Sequence, residues 1–472
     1  MEEGRVCKKN TTLDNHSICT AEKNIFFCKF LITSNDIYMK NKDLLFSLLL
    51  VAMTLGTAWA IRGQFGHEHG AAWAGALGSL SVLLVSKRKD WLAKAFYVTL
   101  AGALGWGLGG IMSYGLIVGY GRADDFGNAL YGLEMLFVIG GLYGFLGGGF
   151  FGLALSDTKK NPVKWASLIV EMTVGGILFY YFLVNQYGWK VNPPRTEVWS
   201  VCLGVAAALT WNLIRNKNYA ALRVAIFTSM GAGFGFAFGN FLQGLGMVSE
   251  IHFNFWNVME YSLGFFGGIG LAYGTLTTEW EPAEQESSFG KKQLFQLIML
   301  VLIIPFIMWQ QNFEWERIQS TYVKLLATDD QGVYNLVIYG SLLLTLSMGI
   351  YWVVKFRNST AFSFEEVRKF FFGHWLLYIT LSYIITGAII STYRVEQYLY
   401  LVNFIIILLL IHRANPIFKP QPMNFGKAFK ILGAILLFIS LLAFILIQTH
   451  GEIKGSHKRF GAEAALKDST VK

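Results

Sequence analysis

The chain has 472 residues, 54% of them hydrophobic and only 15% charged, with a formal net charge of +9. A water-soluble domain carries roughly a quarter charged residues, so these figures, with a mean hydropathy of +0.44, exclude a soluble globular enzyme. The Lys and Arg excess is spread over short loops between apolar runs, a topological pattern and not a nucleic-acid footprint.

Residues 1–38 are polar and irregular and hold Cys7, Cys19 and Cys28, which form neither a CxxC pair nor any metal-ligand spacing. The segment lacks the layout of a cleavable signal peptide. Met39-Lys-Asn-Lys-Asp43 leads straight into the first apolar run, as a bacterial start would, so Met39 reads as an alternative start. Apolar runs of about 17 to 28 residues then follow, the length needed to cross a hydrocarbon core of about 30 Å. They cover 43–62, 70–86, 92–119, 129–155, 163–184, 197–214, 221–247, 254–277, 293–310, 332–354, 370–391, 396–412 and 428–448. Continuous runs, without the alternation of barrel strands, predict an all-α polytopic membrane protein with about 13 transmembrane helices. Lys and Arg gather in alternate loops, at Lys87-Arg88-Lys89, Lys159-Lys160, Arg215 with Lys217, Lys291-Lys292, Lys355 with Arg357, and Arg413 with Lys419. The positive-inside rule therefore places the N-terminus in the cytoplasm. An odd number of spans puts the C-terminus outside, against the mild contrary signal of the basic tail.

The first eight spans repeat. "LLVAMTLG" (49–56) matches "LIVEMTVG" (168–175), and "GWGLGG" from Gly105 pairs with "GFGFAF" from Gly233. Glu134, Gly141, Gly144 and Gly148 fall on Glu260, Gly267, Gly270 and Gly274. The order predicts a tandem parallel 4+4 helix repeat rich in Gly, with a pseudo-twofold axis along the membrane normal. The expected domains are an N-terminal cytoplasmic segment (1–42), the first four-helix repeat (43–160), the second (161–279), an acidic linker (280–292), a five-helix C-terminal bundle (293–448) and a polar tail (449–472). Small residues at spacings of three and four allow close helix packing. Gly119-Tyr-Gly121 and Gly244-Leu-Gly246 are the expected helix breaks.

The densest polar cluster is "WAIRGQFGHEHG" (59–70), in the hairpin joining the first two spans. Its repeat mate "NQYGWKVNPP" lacks the charges, which favours function over scaffolding. Three readings stand. In one, Arg62 holds an anionic group through its planar fork, with Trp59, Gln64, His67, Glu68 and His69 completing a substrate site. In another, His67, Glu68 and His69 bind a divalent metal, for which a third ligand and outer-shell partners are needed. In the last, Arg62 and Glu68 form an interfacial salt bridge. Glu134, Glu171 and Glu260 lie within spans, where a carboxylate is costly, and are candidate coupling groups. Asn240 and Gln243 are candidate substrate contacts. Arg122, Asp124, Asp125, Arg195, Glu250 and His252 add charge to the outer hairpins, near Trp106 and Trp256.

No nucleotide, hydrolase, HExxH or haem motif occurs, and no cofactor is expected beyond that metal. "SKRKDW" lacks the loop signature of the major facilitator superfamily, whose repeat is six spans. These observations point to a bacterial inner-membrane transporter of a small polar solute, anionic or sugar-like, working by alternating access. Its partners are then the lipid bilayer and that solute, with no nucleic acid. The alternative is an integral-membrane enzyme acting on a lipid-linked or periplasmic substrate at the outer leaflet.

Overall fold

The computed structural model describes residues 42–281, 293–359 and 362–461. The cysteines of residues 1–38, the expected start at Met39, most of the 280–292 linker and the end of the tail lie outside the described residues. The chain divides into two units, Met1–Phe46 and Ser47–Lys472. Of the first, residues 42–46, the start of a helix, are described; all other described residues belong to the second.

The described residues form helices and no strand. Numbering the longer ones, α1 is Lys42–Arg62, α2 Glu68–Ser86, α3 Ala95–Gly110, α4 Phe126–Ser156, α5 Trp165–Gln186 (its end a π-helical turn from Tyr180), α6 Trp199–Arg215 and α7 Tyr219–Val248. Then come α8 Phe255–Leu276, α9 Gln293–Asn312, α10 Trp315–Leu326, α11 Gln331–Phe356, α12 Phe364–Thr386, α13 Val395–Leu410 and α14 Phe425–Ile447. Among the described residues nine helices are long and apolar enough to cross a membrane: α1, α2, α4, α5, α7, α9, α11, α13 with its 3-10 extension to Arg413, and α14. The chain is a multi-pass membrane protein.

Three local departures from the sequence pattern matter. The run 92–119 is not one helix: α3 ends at Gly110, and Gly115–Tyr120 forms a separate short helix after an irregular turn. The break therefore precedes Gly119, and α7 continues unbroken through Gly244 and Gly246. There Gly246 makes room for the ring of Phe255 and so serves packing. α12 begins at Phe364, before the expected 370, because Ser363 and Glu366 form a reciprocal capping box. α10, between two apolar runs, is an amphipathic helix that hydropathy alone reads as loop.

Close backbone approach positions the site. Glu260, Gly264 and Gly268 recur every four residues on α8 and share one helix face. A Cβ on Gly264 would meet the Leu55 carbonyl and Trp59, and one on Gly268 would meet Ala52. The two glycines let α8 lie directly on α1, which carries Glu260 to the C-terminal end of α1, where Arg62 stands. Gly105 and Gly109 of α3 do the same against α4, meeting Leu146 and Tyr143.

The basic loops converge at the end of the bundle opposite the site. Lys87 Nζ donates to the His412 carbonyl at 2.8 Å, and Lys94 Nζ donates to three carbonyls at the C-terminus of α4. The C-terminal stretch lies at the site end instead: His457 N–H donates to the Gly119 carbonyl at 3.1 Å, and Arg459 and Phe460 N–H donate to Asn128 Oδ1.

Candidate functional site

Arg62 is the last residue of α1, and only 2% of it is exposed. A guanidinium out of water needs an opposite charge and filled hydrogen bonds. Glu260 supplies the charge, its two carboxylate oxygens 3.2 and 3.1 Å from Nη1. Nη1 also donates to the Tyr114 hydroxyl at 2.9 Å, and Nη2 to the Tyr143 hydroxyl at 3.2 Å. The Tyr114 hydroxyl in turn donates to Glu260 Oε1 at 2.7 Å. Trp59 lies against the guanidinium, 5.1 Å from ring centre to Cζ, and packs edge-on against Trp106 and Tyr143. The ion pair thus sits in an aromatic box built from α1, α3, α4 and the turn before Gly115.

His67 is the remaining partner. Its Nδ1 lies 3.2 Å from Arg62 Nη2. A guanidinium only donates, so Nδ1 accepts and the ring proton stands on Nε2. His67 is exposed at the cavity rim, yet partial loss of water around its ring, then the charges of Arg62 and Arg195, push it down from 6.5 to about 4. The histidine is therefore neutral near pH 7.

Above this floor opens a cavity of about 410 Å³. Arg62, Gly63, Gln64, Gly66 and His67 form one side, Ser113, Tyr114 and Gly115 another, and Asn254, Trp256, Asn257 and Glu260 a third. Arg195 and Arg394 complete the lining. Arg394 is shared with Glu396 at 3.3 Å, whereas Arg195 has no acidic partner among the described residues. Three guanidiniums thus line a cavity that holds one carboxylate. Helices of the C-terminal half hold the hairpin in place: Arg317 donates to the Gln64 carbonyl at 2.6 Å, and Asn312 to that of Phe65 at 3.1 Å.

The residues singled out from the sequence fare differently. Arg62, Gln64, His67 and Glu260 meet in the cavity, and Trp59 backs Arg62. Glu68 is exposed at the start of α2 and does not line it. His69 turns toward α9, 3.0 Å from Gln311 Oε1. His67 and His69 are engaged by different partners, and among the described residues no three His, Cys, Asp or Glu side chains converge as a metal cage would require. Asn240 and Gln243 are fully buried, bonded to each other at 3.1 Å and to the Val118 carbonyl, away from the cavity. Glu171 pairs with Arg215 at 2.5 Å and with Asn212. Glu134 stands half-buried on α4 without a hydrogen bond to another described residue, so it and Glu260, its counterpart in the expected repeat, occupy unlike environments. Arg195 and Trp256 do reach the cavity, whereas Arg122 and Asp124 engage the C-terminal stretch. Lys458 is 3.1 Å from Asp124 and holds its carboxyl below the usual range.

Tyr114, Tyr143, Asn257 and Arg394 carry no signal of their own in the sequence. The tyrosines lie in apolar surroundings, where aromatic residues are ordinary, and Arg394 lies in a loop, where a charge is usually solvated. No family model, curated protein or solved structure matches the chain.

Proposed function

We propose that the protein is a carrier of a small anionic solute, with the cavity above Arg62 as its binding site. The observation that carries this reading is the buried Arg62–Glu260 pair at the floor of a cavity with excess guanidinium. Arg195 and Arg394 attract the anion, and Arg62 with the Nε2 proton of His67 receives it by competing with Glu260. Arginine suits this because its planar fork matches carboxylate and phosphate oxygens. In the empty state Glu260 neutralises Arg62, so no bare charge remains in low dielectric. In the loaded state the anion takes its place, and the released carboxylate is neutralised by a proton. Glu260 is the coupling group in this scheme, and Glu134 and Glu171, which lie outside the cavity, have no part in it.

The same reading takes the helix order as thirteen crossings of a bacterial inner membrane, the first eight as two parallel four-helix units, with the basic loops in the cytoplasm and the cavity outside. Glycines of α4 against α7 (Gly140, Gly144) and of α8 against α1 (Gly264, Gly268) leave no side chains to interlock the two units there.

Uptake of radiolabelled small carboxylates and phosphate into proteoliposomes tests it. Accumulation of at least one anion, falling about fivefold to tenfold in Arg195→Gln and in Arg394→Gln at low salt, is expected for two partly exposed charges. Uptake of neutral sugars alone, or uptake indifferent to both substitutions, overturns it.

A further inference from the structure

A second cavity, of about 480 Å³, lies on the flank of the bundle between α4 and the loop after α5. We propose that it binds one anionic phospholipid, with the phosphate between Lys190 and Arg459 and an acyl chain along Met135, Val138 and Ile139.

Its shape suits a molecule with one charged end. Tyr131, Met135, Val138 and Ile139 recur at helical spacing and present one face of α4 to the groove. They stand 5 to 13 residues from the start of α4 at Phe126, about 8 to 20 Å deeper at 1.5 Å per residue. Val138 keeps 36% of its surface exposed on a helix that is otherwise mostly buried. The mouth, at the helix ends, holds Trp189, 61% exposed, the interfacial position that tryptophan favours. The groove is thus apolar at depth and polar at its rim.

Its charge is one-sided. The ionisable lining side chains other than Tyr131 are Lys190 and Arg459, both cations. Arg459 is placed there by built contacts: Nη2 donates to the Lys190 carbonyl at 3.1 Å, and Asn128, itself buried, clamps the backbone of 459–460 from both sides. Lys190 has no acidic partner among the described residues. The nearby Glu197 carboxylate is consumed by the N–H groups of Val191 and Asn192 and by Trp199 Nε1. Glu134, next to Met135 in sequence, is not part of the lining. Two cations facing one phosphate discriminate a net negative lipid from a zwitterionic one, whose own cation would be repelled.

Native mass spectrometry of the full chain, released from nanodiscs of equimolar phosphatidylglycerol and phosphatidylcholine, tests this. One phosphatidylglycerol is expected to survive activation that strips the remaining lipid. The double variant Lys190→Gln/Arg459→Gln should lower its retention about thirtyfold, as two interfacial charges imply. Val138→Trp, which fills the groove, should abolish it with the charges intact. Equal retention of both lipids, or retention unchanged in the double variant, overturns the proposal. Solute binding measured on the same variants reports the Arg62 cavity separately, so the two readings fail independently.

Discussion

Replacing Glu260 by Gln and Arg62 by Met, singly and together, separates the structural part of the ion pair from its part in binding. With nitrogen and oxygens 3.1 and 3.2 Å apart, the charge centres lie about 4 Å from one another, worth about 4 kcal/mol at an effective dielectric near 20. Removing one partner leaves the other charged and buried, at a cost of about 3–5 kcal/mol. Each single variant should therefore lose about 3 kcal/mol in equilibrium unfolding in mixed micelles. The double variant should lose less than the sum of the two, by about 3 kcal/mol of coupling. Binding should split where stability does not. Glu260→Gln removes the competitor for Arg62 and should tighten anion binding at least about tenfold, a fraction of the pair's Coulomb energy. Arg62→Met should abolish it. Isothermal titration with an anion that the proteoliposomes accumulate reads this directly. Additive stability losses would refute the pairing, and weaker binding in Glu260→Gln would refute the exchange of carboxylate for solute.

His67 and Gly66 test the hairpin itself. His67 titrates near 6.5 when unfolded and at about 4 in the structure, so the unfolded chain binds the extra proton between these values. Stability present above pH 6.5 is then lost as pH falls toward 4 and levels off below it; thermal melts of His67→Gln should lack that slope. Gly66 has φ of +78° with nothing within 4 Å of a Cβ built on it. Gly66→Ala should cost about 1 kcal/mol through left-handed backbone conformation alone, a modest fall in melting temperature with anion affinity retained.

The two halves of the ion pair were visible in the sequence, but not their union. Arg62 stood out because polar residues crowd between two apolar runs, and Glu260 because a carboxylate within a span is costly. Nothing local joins residues 198 positions apart; the link is a face of α8 on which Gly264 and Gly268 follow Glu260, and among so many glycines that spacing carries no signal of its own. Glu68 and His69 misled for a geometric reason. Read as a loop, 67–69 is one cluster, but α2 begins at Glu68, and consecutive helical residues do not face each other. His67 is left at the cavity while His69 turns to Gln311. The C-terminal segment, expected as five helices, holds six among the described residues, because α10 is amphipathic and leaves no apolar run; its loops contribute Arg394 to the lining, and α9 and α10 fix the hairpin through Asn312 and Arg317.

That last contribution bears on how the site can move. Arg62 and Glu260 stand on α1 and α8, while the hairpin that carries Gln64 and His67 is tied by its carbonyls to α9 and α10. Tyr378 of α12 binds the Gly70 carbonyl at 3.1 Å and stacks on Trp73, so α2 is held by the same half. Motion of α8 against α1 would break the ion pair and leave the hairpin where it is, whereas motion of α9 and α10 would carry the hairpin away from an intact pair. In the proposed carrier, only the first would expose Arg62 to an anion held at Arg195, Arg394 and His67. Under the proposed exchange of partners, the bonds from Arg317 and Asn312 would then do more than hold a loop: they would keep the receiving side of the cavity still while the carboxylate leaves.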